Sequence, residues 1–190
     1  MTFLDDHQYM KLDHLLGGMP VSGTIEVQDT CIWVMLNSND NCIVGASSTR
    51  YINGTLGKGL IGNTTTSKTF PIGDANGYRP VYVRQTIGTA ASNRYPYITA
   101  AALAGNPRRD SSTLSADIDK ISTVRYFRLG YKSAGAAATG LLIDTIGISY
   151  GADDGVAAGN QNLRIARVAG DDMRSWVGIA QTKAHTTSLT

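Results

Sequence analysis

Thr123-Val-Arg-Tyr-Phe-Arg-Leu-Gly-Tyr131, Leu141-Leu-Ile-Asp-Thr-Ile-Gly-Ile-Ser-Tyr150, Asn162-Leu-Arg-Ile-Ala-Arg-Val168 and Arg174-Ser-Trp-Val-Gly-Ile-Ala180 read as four strands separated by Gly-, Asp- and Ala-rich connections. β-Branched and aromatic residues dominate them, and such side chains suit a half-buried pleated surface. Short strands spaced by turn residues predict an all-β fold, here a jelly-roll-like β-sandwich.

Working outward, Arg79-Pro-Val-Tyr-Val-Arg84 and Gly23-Thr-Ile-Glu-Val-Gln28 alternate apolar with polar residues, and Cys31-Ile-Trp-Val-Met-Leu36 reads as a fully buried strand. Asn37-Ser-Asn-Asp-Asn41 is a turn, and Asn53-Gly54 predicts a tight hairpin, because both residues tolerate positive φ. Gly73-Asp-Ala-Asn-Gly77 reads as a loop, and Pro71 and Pro80 as strand starts or edges. Tyr97-Ile-Thr-Ala-Ala-Ala-Leu103 fits a strand or a short helix, and residues 110–119 fit a loop with one helical turn. Residues 1–20 differ: Leu4, Met10, Leu12, Leu15 and Leu16 give weak helical or extended character, closed by Gly17-Gly18 and Pro20. The expected organisation is an extended N-terminal arm (1–20), a β-sandwich domain (21–182) and a C-terminal tail (183–190).

Composition agrees. The 190 residues are 42% hydrophobic and only 17% charged, with 21 glycines, enough to bury a core without metals or disulfides. Net charge is +2 and arginine is dispersed, so the basic footprint of a nucleic-acid binder is missing. The densest basic spot, Pro107-Arg108-Arg109, reads as a solvated loop. The sequence contains no apolar run long enough to span a membrane, and its first residues lack the unbroken apolar core of a secretory signal.

Reactive constellations are sparse. Histidine occurs only as His7, His14 and His185, in the arm and tail, so a catalytic triad would need a terminal segment to complete it. Glu26 is the sole glutamate, and most aspartates stand in turn contexts, so paired catalytic carboxylates are not identifiable. Asp153-Asp154-Gly155 followed by Asn160 is a weak Ca²⁺ candidate, outweighed by a polar β-turn, and Asp171-Asp172 reads the same way. Gly73 to Gly77 lacks the Lys-Ser/Thr of a phosphate loop. Cys31 and Cys42 match no metal pattern and form either a disulfide or two buried thiols. The expectation is no enzyme, no catalytic residues and no cofactor. A glycan-binding face would use exposed tyrosines, with Tyr78, Tyr95, Tyr97 and Tyr131 the better candidates, whereas Trp33 and Trp176 read as core. Asn53-Gly-Thr55 and Asn63-Thr-Thr65 fit the N-glycosylation pattern.

Tyr51-Ile-Asn-Gly-Thr-Leu56, Thr69-Phe-Pro-Ile-Gly-Asp74 and Tyr78-Arg-Pro-Val81 resemble a "YVNGPL … FPVGDG … YRPV" signature of large secreted proteins of Bacteroidetes and Ignavibacteria-like bacteria, often exported by the type IX system. Ile121-Ser-Thr-Val-Arg-Tyr-Phe-Arg128, Ile148-Ser-Tyr-Gly-Ala-Asp-Asp-Gly-Val156, Leu163-Arg-Ile-Ala-Arg167 and Trp176 are similar to the same family's "ISxVRYW, LSYxxDDGV, LRVAR, W" series. The resemblance covers about residues 22 to 180. It implies a β-rich module of surface adhesins and scaffolds, located outside the cell, with no assigned catalytic residues. In that setting Asp144-Thr145-Ile146 resembles an O-glycosylation acceptor, with Thr145 as the modified residue.

The functional expectation is therefore an extracellular structural protein whose copies assemble into a filament or layer, the arm or tail adding a strand to a neighbour's sheet edge. The alternative is a monomeric carbohydrate-binding or adhesin module of a larger secreted protein. A virion or phage surface component is the third reading.

Overall fold

The structure, a computed structural model, describes residues 9–11, 19–20, 24–26, 32–35, 43–60, 65–86, 96–107, 113–132, 142–156, 163–168 and 175–179. Among these residues the chain is all-β, as its composition predicts. The strands are β1 (Tyr9–Lys11), β2 (Met19–Pro20), β3 (Ile25–Glu26), β4 (Ile32–Met35), β5 (Ile43–Val44), β6 (Ile52–Asn53), β7 (Thr55–Gly59), β8 (Thr65–Phe70) and β9 (Ile72–Asp74). They continue as β10 (Gly77–Tyr78), β11 (Val81–Thr86), β12 (Tyr97–Ala104), β13 (Thr113–Leu114), β14 (Arg125–Lys132), β15 (Leu142–Ile148), β16 (Ile165–Val168) and β17 (Ser175–Ile179). A 3₁₀ turn, Ala152–Asp154, precedes β16. Among the described residues no helix is long and apolar enough to cross a membrane. The chain forms two compact units, Met1–Leu103 with Phe127–Ser149 and Ala104–Tyr126 with Tyr150–Thr190.

In the first unit, successive strands stack in parallel. Tyr9 of β1 faces Ile32 of β4, and Ile32 faces Thr55 of β7, a step of 23 residues each time, 9 to 32 and 32 to 55. β2 pairs in parallel with β5, Met19 opposite Ile43. β3 pairs with β6 and β6 with β9, Ile25 opposite Ile52 and Ile52 opposite Ile72. The chain thus visits three ladders in turn, β1-β2-β3 and then β4-β5-β6, before returning to the first at β7. Like positions lie above one another, as in a solenoid. Residues 1–20, expected as an arm, contribute β1 and β2 to this stack, both paired within the chain. One side of each pairs with the next coil, β1 with β4 and β2 with β5.

Asn53-Gly54 is a corner and not the predicted hairpin. β6 and β7 lie in different sheets, and the chain changes sheet across Gly54, whose φ of +132° suits glycine. The tolerance of positive φ is used, but each flanking strand pairs with the coil before it. A tight hairpin occurs instead at Asp74 to Gly77, where Ala75 and Asn76 alone join β9 to β10. Pro71, which supplies no N–H, separates β8 from β9. Tyr97 to Leu103 is strand, within β12, which pairs antiparallel with β7.

Antiparallel pairing completes this unit: β11 lies between β8 and β15. The inward residues of several sheets close one apolar core, including Ile52, Leu56, Phe70, Ile72, Val83 and Ile98, with Phe127, Leu129 and Ile148 packed against it. This is the sheet-on-sheet burial expected of an all-β domain. In the second unit β17 lies between β13 and β16, parallel to the first and antiparallel to the second. The helical turn expected in 110–119 is a turn closed by the Ile118 amide on the Ser115 carbonyl at 2.9 Å.

Candidate ligand surface

The phrase Phe70 to Tyr78 is built as a knot. Tyr51 is buried, its hydroxyl donates to the Asp74 carbonyl at 3.0 Å, and its ring lies against Gly73. A Cβ on Gly73 would sit 2.6 Å from the Tyr51 ring and run into the Gly77 carbonyl oxygen. Asp74 Oδ1 accepts from the Asn76 amide at 2.8 Å, stabilising the two-residue turn. The Tyr78 ring tilts against Tyr51 with centroids 5.9 Å apart, and Arg79 Nη1 donates to the Tyr78 carbonyl at 2.6 Å. Burial pushes the Tyr78 phenol above its ordinary pKa, because the phenolate is poorly solvated there. These polar groups hold the hairpin on the core.

The acidic loop of the second unit has a comparable role. Arg125 Nη2 reaches Asp153 Oδ2 at 2.9 Å, and Nη1 pairs with Asp154 Oδ1. The Gly151 amide donates to Asp154 Oδ2 at 2.7 Å, and Gly155 closes the turn at φ +69°. Asp153 and Asp154, the weak Ca²⁺ candidates, are thus both engaged by the buried Arg125 guanidinium, which takes up carboxylate oxygens that a cation would need. Asn160, the third ligand expected there, lies outside the described residues. Among the described residues no group of three or more His, Cys, Asp or Glu side chains converges as a metal site would require.

The remaining candidates scatter. Asn53 is half-buried in β6, in the middle of a parallel ladder and not on the surface loop that N-glycosylation favours. Thr145 is half-buried on β15. Cys31, Cys42, Asn63, Asp171, Asp172, Tyr95, Arg108, Arg109 and all three histidines lie outside the described residues, as do the side chains of Glu26, Trp33 and Trp176. Of the tyrosines expected to be exposed, Tyr131 is so, Tyr78 is half-buried, and Tyr97 is buried on β12.

The tyrosine missed at that step is Tyr82, 38% exposed on β11. The signal was present: Val81 and Val83 alternate with Tyr82 and Arg84, so once the valines are buried the other two must face outward. Thr69 and Gly147 stand opposite Tyr82 on the flanking strands, and Ser67 and Thr145 stand opposite Arg84. The Tyr82 and Ser67 hydroxyls share a 2.6 Å hydrogen bond, and those of Thr65 and Thr86 share one of 2.9 Å. A β-bulge between Arg84 and Gln85 leaves Asp144 without a partner in the register and sets its carboxylate 3.7 Å from Arg84. The outer face of β8, β11 and β15 therefore carries hydroxyls around one aromatic ring and one loose ion pair, with the exposed Leu142 opposite Thr86 at its end.

Compared with protein-family models, with curated proteins and with solved structures, the chain has no match in any of the three.

Proposed function

We propose that this chain is a non-catalytic structural module of an extracellular or cell-surface assembly, in which copies join by strand addition at the end of the parallel stack. The supporting observation is the position of β1, β2 and β3: each is terminal in its sheet, and together they form the first coil. A terminal strand presents a row of N–H and C=O groups that template another strand, and three such rows at one end accept a whole further coil. The second support is that the ionisable clusters at Arg125 and Arg79 serve as internal fastenings. The likeness of the Tyr51-to-Val81 phrases to large secreted surface proteins supports a place outside the cell.

The stack changes which experiment is informative. Deleting residues 1–20 removes β1 and β2 but exposes β4 and β5 as new edges, so assembly would persist. Proline at the edge is the sharper tool. Neighbouring residues of a strand point their amides to opposite sides, so one of Met10→Pro and Lys11→Pro removes an outward amide while sparing the β1–β4 ladder. Sedimentation velocity and electron microscopy of the full chain should show concentration-dependent assembly, lost in one of these two variants. A full chain that stays monomeric at every concentration would overturn the proposal.

A further inference from the structure

We infer that the outer face of the β8-β11-β15 sheet binds a neutral saccharide, with Tyr82 as the stacking platform and Arg84 and Asp144 as its donor and acceptor. This goes beyond assembly at the stack end, which involves different strands.

Three observations specify the ligand's chemistry. Tyr82 is exposed yet fixed, because its hydroxyl is tied to Ser67 at 2.6 Å, and a ring held in place loses little freedom on binding. Gly147 stands opposite it with no side chain, and a Cβ added there would lie 3.4 Å from Tyr82 Cβ. The ligand must therefore bring an apolar face to lie on an aromatic ring.

Next along β11, the Arg84 side chain is 52% exposed and only loosely paired with Asp144, 3.7 Å away. A guanidinium offers N–H donors and a carboxylate offers acceptors, which vicinal hydroxyl groups satisfy together. Thr65, Thr69 and Thr86 add hydroxyls that both donate and accept. From Tyr82 to Thr86 the strand extends about 13 Å, a strip suited to a short oligosaccharide.

Charge excludes the other ligands that stack on tyrosine. Arg84 and Asp144 offset each other on this face, whereas a nucleic acid needs a groove of net positive charge along its backbone. An extended peptide would gain more by pairing along a strand edge than by lying across the face. A saccharide combines apolar ring faces with abundant hydroxyls and no charge.

The test is a microarray carrying neutral and acidic oligosaccharides, probed with the full chain. Retention on neutral glycans is expected. Tyr82→Ala should weaken it by about tenfold or more, as truncating an aromatic anchor does. Tyr82→Phe should keep most of the binding, Arg84→Ala should weaken it, and Tyr131→Ala, an exposed tyrosine on β14, should leave it unchanged. Circular dichroism confirms that each variant is folded. No retention, retention on acidic glycans alone, or equal loss in Tyr131→Ala and Tyr82→Ala would overturn the inference. So would a Tyr82→Ala variant that bound glycans normally but sedimented differently, since the face would then join copies of the chain. The edge variants Met10→Pro and Lys11→Pro test assembly separately, so either idea can fail without the other.

Discussion

Arg125 is held by two carboxylates that are not equivalent. Its own side chain and that of Asp154 are buried, whereas the Asp153 side chain is 41% exposed. Removing the cation strands a buried carboxylate, so Arg125→Met should cost about 3–5 kcal/mol. Asp153→Asn touches only the solvated half of the clamp and should cost at most about 1 kcal/mol. Urea denaturation of the two variants distinguishes these values. Tyr78 gives the pH-dependent counterpart. Its phenol is raised by burial, so the folded chain keeps its proton where the unfolded chain has begun to lose it. Its contribution is therefore fully present below roughly pH 10 and is lost as pH rises through the folded value. Urea midpoints measured across this range should fall less steeply in Tyr78→Phe. At this scale the sequence marked the right residues and left their roles open. Asp153 and Asp154 stood out as an acidic pair, but a turn and a cation site use the same letters. The buried guanidinium that engages both lies 28 and 29 positions away in the chain, out of reach of any local pattern.

Along an element, the period of two is the dependable signal, and β11 tests it on adjacent residues. Val83 is fully buried and faces Lys68 and Ile146, while Arg84 points to solvent. Val83→Ala should cost about 2 kcal/mol, the transfer of two methyl groups plus a cavity. Arg84→Ala should move stability by no more than about 0.5 kcal/mol, since its ion pair is loose and exposed. Thermal unfolding of the pair checks the alternation directly. The same alternation makes Tyr82 legible as an outward residue, although composition alone directs attention to other tyrosines. Periodicity identifies a strand but not its partner. Asn53-Gly54 carries every local mark of a hairpin, yet β6 bonds to β3 and β9 and β7 to β4 and β12. A turn signal reports the φ values a dipeptide tolerates, and a sheet corner demands the same values as a reversal.

Over the whole molecule, the all-β class followed from composition, because few charges, abundant glycine and β-branched runs leave little else that buries a core. The parallel stacking did not. Along the β1-β4-β7 ladder the coils share a step and not residues: Tyr9, Ile32 and Thr55 occupy the same rung position with nothing in common chemically. A repeat carried by backbone hydrogen bonds leaves no recurring motif to find, and the short strands β1 to β3 give little amphipathic pattern of their own. The equal step of 23 residues from β1 to β4 and from β4 to β7 has a consequence for how such a chain changes length. A second copy of residues 32–54 spliced in before Thr55 would keep the β1-β4-β7 ladder in phase, adding one storey about 4.8 Å high and leaving the antiparallel pairs intact. Small-angle scattering of the spliced chain should register that increment. Reach would then be an inherited quantity, adjusted in whole storeys by duplication, as a ruler is lengthened by adding marks.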